Sequence, residues 1–330
     1  MDPLQLSGQE FAALLDAGEA HERVMDAGAQ AVLVEGHGLP ATLDPGSMAR
    51  LQTLAAVVIG LVEEPMIRPP AWSDLAVPPG SPELESAQST VETNPLASIT
   101  LAVLLRTGGA RTIPEGLAAE SMAYGLLQHG PEFARWRHGH PARPPSEFED
   151  PAVIATREGD QLSITLDRPR VLNAFSAGMR DELVAALHVA AVDPTVTSVV
   201  LRGSGDAFCS GGDLNEFGSR PDAVTAHLVR LRRNAGRSLA EVADKTTVHI
   251  HGSTVGSGIE LAAFAHRVVA ARSTRISLPE LHLGLIPGAG GTVSLPRRIG
   301  RHATMLLALA LPSIDADTAL TWGLVDELEP

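Results

Sequence analysis

The chain has 330 residues, of which 44% are hydrophobic, and this length holds one large domain or two modest ones with an ample core. Its formal net charge is −14 at pH 7. Because the phosphates of nucleic acids are bound by basic surfaces, this acidic balance argues against nucleic acid as the main partner.

The N-terminal residues predict neither export nor insertion into a membrane. Residues 1–18 lack a basic segment followed by an apolar run, which a signal peptide requires. The best apolar stretches, such as residues 54–62, are too short to span a bilayer. The single cysteine, Cys209, excludes an intrachain disulfide and fits a reducing compartment. We therefore expect a cytoplasmic protein that has no membrane partner.

The first half of the sequence predicts a small α/β region followed by helices. Ser7 and Glu10 have the spacing of a capping box and predict a short helix that runs to Leu15. The other expected elements are strands at 31–35 and 56–62, helices at 45–54, 95–105 and 113–136, and a Pro/Ser/Glu-rich loop at 78–89. This half shows no carboxylate pair in a glycine-turn setting, so we expect it to carry structure rather than chemistry.

A proline-dense segment at residues 139–151 divides the chain, because prolines at this density prevent regular structure. A β-hairpin is expected next, with strands at 153–156 and 161–166 around a Glu-Gly-Asp turn. The remaining predicted elements are helices at 179–191 and 222–242 and strands at 198–201, 248–250 and 267–270. This alternation of short strands and helices predicts α/β layers.

Two glutamates, Glu260 and Glu280, each lie in a glycine-punctuated motif of the second half. In residues 251–261 (HGSTVGSGIEL) a strand-like run breaks on glycines and restarts as a helix just before Glu260. In residues 277–292 (SLPELHLGLIPGAGGT) a Gly/Pro loop follows Glu280 and opens another helix. N–H groups at a helix start can hold a developing oxyanion, and two carboxylates can divide acid and base work. The sequence therefore predicts a reaction centre.

With these motifs the second half resembles the crotonase (enoyl-CoA hydratase/isomerase) superfamily. The other matching motifs are ITLDRP with LNA at 164–174, AFCSGGDL at 207–214 and WGLVD at 322–326. Several motifs in family order are far more specific than a lone glycine pattern. The resemblance implies an α/β fold in which residues 151–330 form a spiral of ββα units that binds an acyl-coenzyme A thioester.

The resemblance also implies which residues form the site. In that family two backbone N–H groups hold the thioester oxygen, and the matching positions are Gly212 and Ser257. Hydratases of the family place two glutamates around one water, which Glu260 and Glu280 match. The positions implied to contact substrate or coenzyme A are Arg168, Arg170, Ala174, Ser210, Gly211, Asp213, Leu214 and Gly256. Acyl-CoA is then the substrate, no cofactor or metal is needed, and a homo-oligomer, trimer or hexamer, is expected.

Three positions depart from the family pattern. Ser257 stands where glycine is usual, although a backbone N–H contact survives that change. Asn215 stands where lysine is common, which leaves the coenzyme A phosphates more dependent on arginines such as Arg168 or Arg170. His251 replaces a frequent asparagine.

The order of segments departs from the family as well. Members of the family continue beyond the WGLVD position into helices that cover the acyl site and build the trimer. Residues 94–136 resemble those helices, so we expect a mainly helical N-terminal region that replaces them. We divide the chain into a degenerate α/β region at 1–92, a helical segment at 93–140, a Pro-rich linker at 141–151 and a crotonase-like catalytic core at 152–330.

The leading hypothesis is reversible addition of water to a 2-enoyl-CoA, in which Glu260 activates water and Glu280 handles the proton at Cα. Two alternatives stay open. One keeps the oxyanion hole but changes the reaction to double-bond isomerisation, thioester hydrolysis or C–C cleavage. The other is a catalytically weak subunit that only binds acyl-CoA. Blander interpretations are that Glu260 is a helix-start acid, that Glu280 is a surface acid beside a turn, and that Cys209 is a small buried residue.

Overall fold

The computed structural model describes residues 3–36, 43–63, 71–141, 151–219 and 222–329. Within these ranges it contains β-sheets with helices packed against them, so the predicted α/β class is confirmed. In the part of the chain so described, no helix is both long and apolar enough to cross a bilayer.

The first half is built on a parallel four-stranded sheet in the order β1-β2-β3-β4. Its strands are β1 Leu4–Leu6, β2 Ala31–Glu35, β3 Val57–Leu61 and β4 Leu75–Val77. Its helices are α1 Gly8–Ala17, α2 Ala20–Ala27, α3 Pro45–Thr53, α4 Pro82–Thr93, α5 Pro95–Gly108, α6 Ile113–Gln128 and α7 Pro131–Gly139. The predicted capping box is confirmed, because the Ser7 side chain accepts a hydrogen bond from the Glu10 N–H at the start of α1.

The second half contains a six-stranded sheet in the order β13-β10-β8-β7-β6-β5 and a three-stranded sheet in the order β12-β11-β9. Its strands are β5 Val153–Glu158, β6 Gln161–Leu166, β7 Ser198–Gly203, β8 Thr246–Ile250, β9 Ser253–Val255, β10 Arg267–Ala270, β11 Arg275–Ser277, β12 Ile314–Asp315 and β13 Glu327–Leu328. Its helices are α8 Ala177–Val192, α9 Ala223–Arg232, α10 Ala235–Glu241, α11 Ser257–Ala262, α12 Gly291–Leu309 and α13 Ala316–Trp322. The predicted hairpin is confirmed as the antiparallel pair β5 and β6.

Three sequence predictions are wrong in detail. The expected loop at 78–89 is mostly α4, because Ser81 caps that helix and Pro82 occupies its first turn, where proline is tolerated. The expected helix at 113–136 is broken between α6 and α7. The expected helix at 222–242 is divided by Asn234, whose side chain caps α10. Most of the predicted linker, residues 142–150, lies outside the described residues.

The first half packs against the second through a shared hydrophobic core. Side chains alternate across a strand, so Leu33 and Ile59 point to one face of the first sheet and Val32 and Val58 to the other. The face of Leu33 and Ile59 belongs to the large core that runs through α5 into α12 of the second half. The opposite face forms a smaller cluster with α1, α2 and α3. The two halves therefore bury one continuous apolar surface.

A buried ion pair reinforces this packing beside β4. The Asp74 carboxylate accepts the Arg106 Nε–H at 2.8 Å and the Val58 N–H at 2.8 Å, and both charged side chains are only 2% exposed. Arg301 of α12 lies 3.4 Å from the same carboxylate. Burial alone would raise the pKa of Asp74, but Arg106, Arg301 and the Val58 N–H together hold that pKa below its ordinary value of 3.8. Asp74 thus links the first sheet to α5 and α12.

Asp74→Asn should lower the free energy of unfolding by about 3–5 kcal/mol, because it leaves the buried Arg106 charge without its partner. Denaturant titration of the two proteins measures the difference. Glu241→Gln is the matched control, since its i,i+4 pair with Arg237 is exposed and its loss should cost about 0.3–0.5 kcal/mol. Equal losses in the two variants would show that Asp74 does not support the fold in this way.

Candidate active site

A cavity of about 430 Å³ lies where the two halves meet. All four residues predicted to hold the oxyanion or to transfer protons line it: Gly212, Ser257, Glu260 and Glu280. Tyr124 of α6 lines it from the first half. A volume of this size is typical of a small-molecule site.

The N–H group of Gly212 is available to a ligand. The Gly211 carbonyl and the Asp213 N–H on either side of it both bind the backbone of Phe175, which leaves the Gly212 N–H between them unbound by any described residue. The Phe175 N–H donates to the Gly211 carbonyl at 2.8 Å, and the Asp213 N–H donates to the Phe175 carbonyl at 3.0 Å. Among the described residues we find no acceptor for the Gly212 N–H itself. Asn173 holds this arrangement in place, because its buried side chain donates to the Ser204 and Ala207 carbonyls. The asparagine of the LNA motif is therefore a structural residue.

Ser257 is the first residue of α11, where N–H groups have no partner within the helix. Its N–H likewise lacks an acceptor in the described part of the chain. Its hydroxyl lies 3.8 Å from the Cys209 sulfur, so the side chain packs against a buried neighbour. Burial raises the pKa of the Cys209 thiol to about 11, which makes this cysteine a poor nucleophile. The replacement of glycine by serine thus leaves the N–H at the cavity wall.

Glu260, in the first turn of α11, is 2% exposed. Its Oε2 accepts the Ala289 N–H at 2.7 Å and the Gly291 N–H at 2.8 Å. Burial raises the pKa of this carboxyl from its ordinary value of 4.5 to about 7, while the two N–H bonds limit the rise. The loop that opens α12 therefore fixes the direction of the side chain and stabilises its charge.

Glu120 of α6 occupies the other side of the same loop, a role that its sequence context did not predict. Its carboxylate accepts the Gly290 N–H at 2.8 Å, the Thr292 N–H at 3.0 Å and the Thr292 hydroxyl at 2.7 Å. Burial and the nearby Glu260 charge raise the pKa of Glu120 to about 8. A glutamate within the apolar stripe of α6, between buried Leu117 and Tyr124, was the available sequence signal.

Glu280 begins a short 3-10 helix, Glu280–Leu283, and is 9% exposed. Its Oε2 is buried without a hydrogen-bond partner among the described residues. Burial raises its pKa well above the ordinary 4.5, and the Glu260 charge raises it further. A side chain at Gly256 would collide with the Glu280 carboxyl, so the glycine leaves the room that this carboxyl occupies. Within the described ranges no group of His, Cys, Asp or Glu side chains could hold a metal ion, these glutamates included.

The predicted coenzyme A contacts are more dispersed. Arg168 pairs with Asp213 and donates to the Ala174 carbonyl, so its guanidinium has structural partners. Arg170 is exposed, and Leu214 is 46% exposed with its carbonyl bound by Arg137. Of the predicted contacts only Asp213 lines the cavity; those that do not are Arg168, Arg170, Ala174, Ser210, Gly211, Leu214 and Gly256. Contact of these residues with substrate stays a prediction.

The expectation that the first half carries structure alone is incomplete. Tyr124 packs closely over Gly288 of the Gly/Pro loop, and a side chain at that glycine would collide with the ring. The guanidinium of Arg230, on α9, lies 5.1 Å from the centre of the same ring. The first half therefore contributes an aromatic wall and a carboxylate to the site.

The second half of the chain is similar in sequence to known proteins. A family model described as enoyl-CoA hydratase/isomerase matches residues 157–330. The 2,3-dehydroadipyl-CoA hydratase of Escherichia coli (strain K12) is 34% identical over 178 residues, 54% of this chain and 69% of the relative. The 1,2-epoxyphenylacetyl-CoA isomerase of the same organism is also 34% identical over 178 residues, 52% of this chain and 68% of the relative. A probable enoyl-CoA hydratase of Rhodobacter capsulatus is 38% identical over 167 residues, and the chain covers 64% of its length.

Solved structures also match. The enoyl-CoA hydratase of Thermoplasma volcanium is 31% identical with a TM-score of 0.50, and the match covers 56% of this chain and 74% of that one. Pseudomonas aeruginosa DspI is 27% identical with a TM-score of 0.51, and the match covers 57% of this chain and 71% of that one. The predicted crotonase-like fold of the second half is confirmed.

Glu120→Gln should flatten the dependence of stability on pH. Because the folded-state pKa of Glu120 is raised, its contribution to stability is fully present below about pH 4.5 and is lost as pH rises through about 8. The slope from this group is about 1.4 kcal/mol per pH unit while only the folded state stays protonated. Unfolding midpoints between pH 5 and 9 measure the effect. Glu241→Gln is the control, because Glu241 is exposed on α10, and parallel curves for both variants and wild type would contradict the assignment.

Proposed function

The chain belongs to the enoyl-CoA hydratase/isomerase family, and we propose that it catalyses the reversible addition of water to a 2-enoyl-CoA thioester. The observation that carries the proposal is that two buried carboxyls, Glu260 and Glu280, line one cavity with the free N–H groups of Gly212 and Ser257. Acyl-CoA thioesters are the substrates on which this family acts. The proposed chemistry needs no metal or redox cofactor.

The two N–H groups supply the oxyanion hole of this proposal. Hydrogen bonds from Gly212 and Ser257 to the thioester oxygen draw electrons from the conjugated double bond and make Cβ electrophilic. The same bonds stabilise the enolate oxygen after water has added. One such donor is typically worth about 10²–10³ in rate.

The two glutamates divide the proton transfers. Glu260, whose ionised form is stabilised by the Ala289 and Gly291 N–H groups, takes a proton from the water that attacks Cβ. Glu280, whose pKa is held well above its ordinary value by burial and by the Glu260 charge, gives its proton to Cα of the enolate. The addition leaves Glu260 protonated and Glu280 ionised, so the return of one proton between them completes the cycle. Because the two carboxyls interact, their titration belongs to the pair.

Double-bond isomerisation is the second candidate, because the matching family model covers enoyl-CoA isomerases as well as hydratases. It uses the same oxyanion hole but moves a proton between carbons without adding water. A panel of 2-enoyl and 3-enoyl thioesters separates the two reactions, since mass spectrometry detects a gain of water only in the hydration.

We also propose that the chain forms a homo-oligomer, a trimer or hexamer. Sedimentation velocity of the full chain tests this proposal.

Glu260→Gln and Glu280→Gln should each lower kcat by about 10²–10⁴, because the amide keeps the volume but removes proton transfer. Affinity for a saturated acyl-CoA should stay near wild type. Turnover is measured as the gain of water on a 2-enoyl-CoA, and Glu241→Gln on the exposed face of α10 is the control. A variant that keeps near-wild-type turnover removes its residue from the mechanism.

The dependence of kcat/KM on pH should be bell-shaped. Activity should rise through about pH 7 as Glu260 loses its proton and fall at higher pH as Glu280 loses its own. Initial rates at low substrate between pH 5 and 10 provide the profile. A profile with no rise between pH 6 and 8 would contradict the role of Glu260 as the base.

A further inference from the structure

Arg230 presents a positive charge to the catalytic cavity, and no described carboxylate forms an ion pair with it. Its Nε–H donates to the Ser121 hydroxyl at 2.9 Å and one Nη–H donates to the Ser121 carbonyl at 3.1 Å. Its third neighbour is the Tyr124 ring. These partners are neutral, and they leave part of the five-donor guanidinium unused. Glu120 is near enough to influence Arg230, but its carboxylate is occupied by the loop before α12.

Two further arginines line the same cavity, Arg180 of α8 and the exposed Arg233 that follows α9. Arg180 of α8 is bound to its sequence neighbour Asp181, a partner whose side chain is 47% exposed. Burial lowers the pKa of Arg230, and the charge of Arg180 lowers it further. Guanidinium groups that line the same partly buried cavity repel each other. An anion between them would offset both the repulsion and the loss of hydration.

The size of the cavity indicates which part of an acyl-CoA could place an anion beside Arg230. A volume of about 430 Å³ encloses a small molecule and cannot enclose a whole coenzyme A, whose phosphates then remain outside. Arg230 stacks on Tyr124, and that ring lies over Gly288 of the loop that holds Glu260. The charge therefore stands close to the reaction centre, on a wall that also contains apolar Ala226 and Val229.

We propose that Arg230, assisted by Arg180, binds a carboxylate at the far end of the acyl group. The preferred substrates are then thioesters of dicarboxylic acids, a substrate class that rests on the proposed acyl-CoA function. The apolar wall holds the methylene chain, and the guanidinium fork fixes the carboxylate and hence the position of the double bond. Such a site discriminates against acyl groups that end in a methyl, because these leave Arg230 without a counter-charge.

Equilibrium binding of saturated thioesters to the full chain tests this proposal without any turnover. The probes are coenzyme A thioesters of four to eight acyl carbons that end in a carboxylate or in the isosteric carboxamide. At the best chain length the carboxylate should bind about 10–100-fold more tightly, the ratio that a charge-assisted hydrogen bond supplies. Arg230→Gln should reduce the ratio to within about threefold, and Arg180→Gln should reduce it in part. Arg232→Gln is the matched control on α9, since its side chain is exposed and does not line the cavity.

Pantetheine thioesters carry the same acyl groups but lack the phosphates of coenzyme A. They therefore show whether Arg230 binds the acyl carboxylate or a phosphate. The carboxylate preference should persist with them and should still depend on Arg230. If Arg230→Gln instead weakens all coenzyme A thioesters equally and no pantetheine thioester, the arginine binds a phosphate and the proposal is overturned. Equal wild-type affinity for both acyl endings overturns it as well. If a dicarboxylic 2-enoyl-CoA binds tightly but gains no water, carboxylate recognition by Arg230 is supported and the proposed hydration is contradicted. If no thioester binds, both proposals are contradicted.

Discussion

The backbone N–H groups of residues 289–292 are held by two carboxylates that come from opposite halves of the chain. Glu260 binds two of these groups from the second half, and Glu120 binds the alternating two from the first. The start of α12, the proposed base and the helix α6 therefore form one hydrogen-bonded unit. The shape of the cavity depends on it, because Tyr124 and the Gly/Pro loop pack together beside this contact.

The same contact determines how the site holds protons. Glu120, Glu260 and Glu280 are all buried, and burial raises the pKa of each. Carboxyls in one low-dielectric region cannot all ionise at neutral pH. The three glutamates therefore retain protons, so that a carboxylate that can act as a base lies near a carboxylic acid that can donate a proton. Helix α6 of the first half supplies Glu120 itself and the Tyr124 ring that lines the cavity with Glu260 and Glu280. The acid–base properties of the second half thus depend on a region that carries none of its sequence motifs.

The sequence predicted what depends on local pattern. The glycine turns before Glu260 and after Glu280, the hairpin and most strands of the second half follow from short-range chemistry. Glu120 was missed because it meets its partners 170 and 172 residues further along the chain, and a single sequence carries no local trace of such a contact. The mistaken loop at 78–89 shows the converse error, since serine and proline begin a helix as readily as they form a turn. The substrate contacts remain predictions because they depend on a bound ligand.

The helices that cover the cavity leave the ribosome before the residues that they cover. Because contacts distant in sequence carry a loop-closure cost, pairing of Glu120 with the start of α12 belongs to the late stages of folding. Until residues 223–309 have been synthesised, the buried faces of α5 and α6, including Leu101, Leu105 and Leu117, lack their partners in the second half. The nascent chain therefore exposes an apolar surface that is prone to aggregate. The yield of folded protein in a cell then depends on how quickly the ribosome synthesises the residues that cover this surface.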